Sequence, residues 1–153
     1  LITHKHQDHL LGFDEITGAV QVPVGIGTDD ADGLPRPPQI DLKDGMVIKF
    51  GNQEMTVLDT PGHTEGATCF LIGKHLFSGD TLFPGGPGKT RSPEAFQQVV
   101  DSITKKLLVL PDDTAVYPGH GDDTTIGKAR EEYQGFASKP HSPNLFGEVT
   151  WNS

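Results

Sequence analysis

The sequence predicts an α/β protein in which β-hairpins are layered against amphipathic helices. Short apolar runs reverse direction at two-residue turns, Gly51-Asn52 and Gly73-Lys74, which is typical of hairpins. Along the same chain, apolar residues recur at helical spacing, most clearly from Phe96 to Leu107. Because each of these elements has one apolar face to bury, together they favour a layered α/β architecture.

The elements follow from local patterns, taken in chain order. A helix is predicted over 9–17 and a strand over 20–24, whereas 25–38 is predicted as a loop because it collects Gly, Asp and Pro. The two hairpins pair 46–50 with 54–58 and 69–72 with 75–77. The clearest helix begins after the N-cap Ser92 and ends before Pro111. A strand over 115–117 and a short helix over 124–133 complete the prediction.

The chain of 153 residues is long enough for one domain, predicted over 1–153. It begins with Leu1-Ile2-Thr3, a pattern typical of the last residues of a buried strand, and no polar residues come before it. We therefore expect that strands which normally precede this segment are missing from the sequence.

Composition excludes several classes of function. The net charge of −9 and the lack of a basic cluster argue against nucleic-acid binding. No apolar run reaches the ~18 residues of a membrane span, so no membrane partner is expected. A single cysteine, Cys69, excludes an internal disulfide and fits a reducing, cytoplasmic location. We interpret Cys69 itself as a core residue.

The chemistry-bearing residues begin with the segment Thr3-His4-Lys5-His6-Gln7-Asp8-His9. In an extended segment, residues two apart point the same way, so His4 and His6 can bind one ion together. Asp8 and His9 follow where the chain turns, within reach of a second ion. Imidazole and carboxylate ligands without thiolates suit an open, catalytic site for zinc, iron or manganese.

Three further motifs each end a predicted strand with a potential ligand. They are Leu58-Asp59-Thr60-Pro61-Gly62-His63-Thr64, Phe77-Ser78-Gly79-Asp80-Thr81 and Val116-Tyr117-Pro118-Gly119-His120-Gly121. Together they place His63, Asp80 and His120 at one edge of a sheet, which is the arrangement that a two-metal site needs.

The ordered motifs THxHxDH, TPGHT, SGDTLF and YPGHG resemble the metallo-β-lactamase superfamily, and within it the glyoxalase II (hydroxyacylglutathione hydrolase) branch. The resemblance runs from Thr3 to about Ile126. It implies an αββα sandwich with two divalent metal ions at one edge, zinc being the expected metal and iron or manganese the alternatives.

The resemblance also implies a role for each residue. His4, His6 and His63 are expected to bind the first metal, Asp8, His9 and His120 the second, and Asp80 to bridge the two. Lys89 resembles a glyoxalase II lysine that meets a carboxylate of glutathione, although a solvated loop lysine fits it equally well. Only 33 residues follow His120, so the helical domain of full glyoxalase II is not expected.

The expected activity is hydrolysis of a small anionic thioester of acylglutathione type, or a related ester, by a metal-bound hydroxide, with Asp8 orienting the nucleophile. Two alternatives stay open: a persulfide dioxygenase with one iron, and an inactive fragment of such a domain. The sequence leaves the acyl group and the oligomeric state open.

Several other polar residues receive lesser roles. Thr3, Asp59 and Thr64 are candidates for holding ligand imidazoles in one tautomer, with capping or turn roles as the alternative. His75 and His141 do not repeat the strand-end pattern and are predicted to lie on the surface.

Overall fold

The computed structural model describes residues 1–152 as ten strands and three α-helices. The strands are β1 Gly25–Gly27, β2 Ile40–Leu42, β3 Val47–Phe50, β4 Gln53–Asp59, β5 Thr68–Ile72, β6 His75–Gly79, β7 Leu82–Phe83, β8 Gly86–Pro87, β9 Ala115–Pro118 and β10 Thr124–Thr125. The helices are α1 Phe13–Ala19, α2 Pro93–Ser102 and α3 Ile126–Ala137, with a π-helical turn, Ile103–Leu107, that extends α2. Across the described residues, no helix is long and apolar enough to span a membrane.

One six-stranded sheet, of spatial order β10-β9-β6-β5-β4-β3, organises the molecule. Both predicted hairpins are confirmed: β3 pairs with β4 and β5 with β6, each antiparallel and each closed by a glycine at positive φ. Strand β9 then joins β6 in parallel. Since β4 and β6 both run antiparallel to β5, the ends of β4, β6 and β9 lie at the same edge of the sheet.

The two faces of this sheet have separate apolar clusters, because successive strand residues point to opposite sides. Cys69 and Leu76 lie in the larger cluster, together with α2, its π-helical extension and α3. Val57 and Phe70 face the other way and pack against Leu42 of β2. The small parallel sheet of β1 and β2 therefore covers part of the face opposite the helices.

The helix predictions are confirmed except at their ends. Ser92 caps α2 by accepting a hydrogen bond from the Ala95 N–H at 3.1 Å. The final helix begins two residues later than predicted, because the Thr125 side chain caps it, and it continues to Ala137. The first helix also begins late: Gln7–His9 forms a 3-10 turn, and α1 starts at Phe13.

The strand predicted over 20–24 is wrong, and the loop predicted over 25–38 is correct only for 34–38. Val20 and Val22 are about half exposed, and the strand lies at Gly25–Gly27, followed by a 3-10 segment, Thr28–Gly33. Glycine is needed in β1 because neighbouring backbone comes close: a Cβ on Gly27 would lie 2.2 Å from the Gly66 carbonyl oxygen. A glycine-rich strand of this kind resembles a loop in sequence.

Candidate metal centre

The shared sheet edge brings the three strand-end motifs together. His63 follows β4, Asp80 follows β6 directly, and His120 lies two residues beyond β9. A backbone hydrogen bond from the Gly119 N–H to the Gly79 carbonyl, at 2.7 Å, holds the last two segments side by side. The sheet topology therefore produces the convergence that the sequence predicted.

The N-terminal segment lies against the same edge. It is anchored where the Thr68 N–H donates to the Thr3 carbonyl at 2.9 Å, at the start of β5. The imidazole of His4 then lies with its ring centroid 5.0 Å from those of His6 and His63 and 4.1 Å from that of His9. Residues 4–9 thus bring the imidazoles of His4, His6 and His9 to the edge where the strand-end motifs lie.

All seven predicted ligands lie in three overlapping groups that could each hold a metal ion. Within each group the ligand atoms lie within 4.8 Å of one another. The groups are His4, His6 and His63; His4, His9 and Asp80; and Asp8, His9 and His120. His4 and His9 each belong to two groups, so the three form one continuous centre.

Hydrogen bonding fixes the orientation of His63. Its Nδ1–H donates to the Lys89 carbonyl at 2.7 Å, which leaves Nε2 with a lone pair in the neutral ring. That Nε2 lies 2.9 Å from Nδ1 of His6. Two imidazole nitrogens facing each other in this way, near a carboxylate, form a donor set that fits a bound divalent cation.

His4 is the most buried of the seven predicted ligands, with 1% of its surface exposed. Its Nδ1 contacts the Thr3 hydroxyl at 3.0 Å, whereas its buried Nε2 has no hydrogen-bond partner among the described residues. Burial, followed by the neighbouring His9, His63 and His6, lowers the pKa of His4 to about 3. A neutral imidazole with an unpartnered nitrogen is the form that binds a metal.

Asp80 occupies the middle of the centre. Its Oδ2 lies 3.6 Å from His63 Nε2 and 3.5 Å from His120 Nε2, and its Oδ1 lies 3.2 Å from His9 Nε2. Oδ1 is buried and makes no hydrogen bond among residues 1–152. The two oxygens of this carboxylate therefore face different imidazoles, and the bridging role of Asp80 stays a prediction.

The centre opens to solvent at Asp8 and His120, whose side chains are about half exposed. Asp8 Oδ2 lies 2.9 Å from His120 Nε2 and 3.4 Å from His9 Nε2. Desolvation acts to raise the pKa of Asp8, but His9, a backbone hydrogen bond and His120 together outweigh it and leave this pKa below the usual range. Asp8 is therefore an accessible carboxylate at neutral pH.

The glycine before each strand-end histidine is required by close packing. A Cβ on Gly119 would lie 2.4 Å from Asp80 Oδ1 and 2.5 Å from His9 Cε1. A Cβ on Gly62, which has φ of 141°, would lie 2.4 Å from the backbone nitrogen of Val99 in α2. Glycine at position 119 thus lets the backbone approach the centre, and glycine at position 62 lets it approach α2.

The lesser predictions have mixed outcomes. Thr3 contacts a ligand imidazole as predicted, whereas Thr64 instead donates to Asp30 at 2.6 Å, and Asp59 contacts no ligand imidazole within the described chain. The other two histidines are exposed and stay outside the ligand groups of residues 1–152: His75 is hydrogen-bonded to Tyr117 and His141 is stacked on Phe136.

Cys69 and Lys89 were given different roles by the sequence, and they lie in different environments. Cys69 is fully buried and burial raises the pKa of its thiol to about 11, in agreement with its interpretation as a core residue. Lys89 is exposed, and its contribution to the centre in this structure is its backbone carbonyl, which orients His63.

Sequence reasoning missed two residues beside the centre. Arg91 lines a groove of ≈ 690 Å³ next to His6 and His63, and Asp30 lies fully buried beneath the ligand loops. Arg91 had one sequence signal, since it lies two residues after Lys89. Asp30 had no such signal, because an aspartate in a Gly/Asp-rich segment is typical of a turn.

Comparison with known proteins agrees with this architecture. The chain matches the metallo-beta-lactamase superfamily over residues 1–120. It is 38% identical over 124 residues to the hydroxyacylglutathione hydrolase of Hydrogenovibrio crunogenus, covering 78% of this chain and 43% of that protein. It is 36% identical over 146 residues to the same-named enzyme of Alkalilimnicola ehrlichii, covering 95% of this chain and 54% of that protein. The chain thus spans about half the length of these curated relatives.

The fold is shared with a solved structure. The crystal structure of ETHE1 from Myxococcus xanthus aligns with a TM-score of 0.77 and 31% identity, covering 90% of this chain and 62% of that one. The predicted metallo-β-lactamase fold is confirmed by these similarities. This chain therefore belongs to the metallo-beta-lactamase superfamily, as a glyoxalase II-like member.

Proposed function

We propose that this chain is a metal-dependent hydrolase that cleaves a small anionic thioester of acylglutathione type. The observation that carries the proposal is the convergence of five imidazoles and two carboxylates on one sheet edge, with a buried unpartnered nitrogen on His4 and oxygen on Asp80. The identity to hydroxyacylglutathione hydrolases supports the choice of substrate class.

The donor set fits two divalent ions, with zinc as the proposed metal. His4, His6 and His63 would hold the first ion, Asp8, His9 and His120 the second, and Asp80 would lie between them. When bound, divalent ions supply Lewis acidity and lower the pKa of a coordinated water to near ~7. Thiolates are absent from the set, which suits a catalytic rather than a closed structural site.

Asp8 has the position expected of a catalytic residue. It is the exposed carboxylate of the centre and is ionised at neutral pH, so it can accept a hydrogen bond from the attacking water and orient it. Cleavage of a thioester releases a thiolate, which is a good leaving group. The chain therefore needs no strong general acid beside the centre.

The groove beside His6 and His63 is the proposed substrate site. Its lining combines two cations with three carboxylates, namely Lys5, Arg91, Glu65, Glu94 and Asp101. Such mixed charge matches a thiol carrier like glutathione, which has both carboxylates and an amino group. Arg91 is exposed and has no ion-pair or hydrogen-bond partner within residues 1–152, so its guanidinium is available to a carboxylate.

Replacing Arg91 with alanine is expected to raise KM for an acylglutathione by about two- to fivefold and to leave kcat nearly unchanged. The lost interaction is an exposed ion pair, which is worth roughly 0.2–1 kcal/mol. Lys89→Ala should behave similarly if Lys89 binds a second carboxylate. Steady-state kinetics of both variants test this expectation.

The matched control is Lys49→Ala, which removes one exposed cation of β3 beside the start of β4, at the end of that strand remote from His63. It should leave KM unchanged. A neutral thioester without the glutathione carboxylates should also show no dependence on Arg91. If Arg91→Ala and Lys49→Ala change KM equally, the groove is not the substrate site.

The persulfide dioxygenase with one iron is the second candidate. The ligand groups alone do not separate it from the hydrolase, whereas Thr81-Leu82-Phe83 after Asp80 and the position of Lys89 resemble the hydrolase branch. An inactive fragment is the third candidate. Metal-loaded protein should release thiol from a hydroxyacylglutathione and should take up no oxygen with glutathione persulfide. Oxygen uptake without thioester cleavage would identify the dioxygenase, and neither reaction would identify an inactive fragment.

A further inference from the structure

Asp30 is a carboxylate with no exposed surface, in the 3-10 segment that follows β1. Burying a carboxylate is unfavourable unless hydrogen bonds replace its lost hydration. The partners that provide those hydrogen bonds therefore show what Asp30 holds in place.

The partners of Asp30 come from two separate ligand-bearing loops. Its Oδ2 accepts from the Lys5 backbone N–H at 3.0 Å and from the Thr64 hydroxyl at 2.6 Å. Its Oδ1 accepts from the Gly66 N–H at 3.0 Å. Lys5 lies between His4 and His6, and Thr64 directly follows His63. One side chain thus connects the loops that present all three histidines of the first ligand group.

The contact is closely packed as well as hydrogen-bonded. A Cβ on Gly66 would lie 2.4 Å from the Asp30 backbone nitrogen, so only glycine allows this approach. Hydrogen bonds to an ionised acceptor are shorter and stronger than neutral ones. The Asp30 carboxylate is therefore suited to fixing the separation between the two loops.

We propose that Asp30 is a positioning residue for the metal centre, and that it holds the His4–His6 loop and the His63 loop at the separation that metal binding requires. This inference rests on the proposed metal-dependent function. Asp30 has no contact with a ligand imidazole within the described chain, so it acts through Lys5, Thr64 and Gly66.

The chemistry of the three contacts makes Asp30→Asn a sharp test. All three partners donate a hydrogen to the carboxylate. An asparagine has one acceptor oxygen, and its amide group is itself a donor. Either orientation of the amide places its NH2 against a backbone N–H, from Gly66 or from Lys5. The variant keeps the size of Asp30 but loses at least one of the contacts.

The experiment measures metal binding on the full chain with Zn²⁺ and Co²⁺ as probes. Zinc affinity is obtained by chelator competition, and the d–d absorption of bound Co²⁺ reports ligand geometry. Circular dichroism gives the folded fraction. We expect Asp30→Asn to weaken the tighter zinc site by about 10- to 100-fold and to alter the Co²⁺ spectrum. The matched control, Asp32→Asn, should change neither by more than about twofold, because Asp32 is 77% exposed and pairs only with the Lys5 ammonium among the described residues.

Thr64 provides a second, milder route if Asp30→Asn does not fold. Thr64→Val removes one of the contacts and should weaken zinc binding, whereas Thr64→Ser keeps the hydroxyl and should restore it. In a folded Asp30→Asn background, Thr64→Val should add little further loss, because both changes affect the same connection.

The possible results separate this inference from the proposed function. If the unmodified chain binds zinc and the folded Asp30→Asn and Thr64→Val variants bind it equally well with the same Co²⁺ spectrum, Asp30 has a purely structural role and the inference is wrong. If the unmodified chain binds no metal, both the proposed function and the inference are wrong.

Discussion

Asp80→Asn is expected to lower thioester hydrolysis by a factor of order 10–100 or more, with loss of the second metal ion. The two carboxylate oxygens of Asp80 lie within 3.9 Å of four imidazole nitrogens. Oδ2 faces His4, His63 and His120, and Oδ1 faces His9. An asparagine has nearly the same shape but lacks the negative charge, and its amide nitrogen has no available lone pair with which to coordinate a cation. Kinetics and elemental analysis of the same sample measure the two effects.

The control for Asp80 is His75→Ala, at the start of β6, the strand that Asp80 follows. His75 is exposed, and its described contacts are with Tyr117 rather than with any ligand residue. Activity and metal content should stay within about twofold of the unmodified protein. Equal losses in the two variants would mean that Asp80 has no special role at this edge.

Gly119→Ala is expected to lower activity by about 100-fold or more, although it adds only one methyl group. That methyl would lie 2.4 Å from Asp80 Oδ1 and 2.5 Å from His9 Cε1, so one of these side chains must move. A misplacement of about 1 Å in a reactive site can reduce the rate by about 10²-fold. Activity and metal content per folded chain test the expectation.

Gly135→Ala is the matched control, because a Cβ at this position in α3 meets no atom within 4 Å. It should retain full activity, and it should raise the free energy of unfolding by roughly 0.5–1 kcal/mol, since alanine is the better helix residue. If Gly119→Ala is as active as Gly135→Ala, the close approach at the centre has no functional meaning.

The candidate ligands could be predicted because each lies at a fixed place in a local motif. His63, Asp80 and His120 each follow a strand, and parallel strand directions place such positions at one edge of a sheet. The Gly51 and Gly73 turns reveal the two hairpins, and the antiparallel pairing of β4 with β5 and the parallel pairing of β9 with β6 then complete the assembly. Their roles as metal ligands remain predictions that the experiments described above test.

Other features depend on contacts between distant segments and left no local pattern. Strand β1 pairs in parallel with β2, with paired residues such as Gly25 and Ile40 lying 15 positions apart, and Gly27 of β1 fits against Gly66 from another loop. Asp30 connects to Thr64 and Gly66, which are 34 and 36 residues away in sequence. Neither relation follows from composition or periodicity, because both are consequences of the folded packing.

Metal content correlated with activity is the most direct test of the proposed two-metal hydrolase. The full chain should bind two divalent ions, and chelation should abolish release of thiol from an acylglutathione, with activity returning in proportion to zinc added back up to two equivalents. Full thioesterase activity in protein shown by elemental analysis to contain no metal would contradict the proposed function.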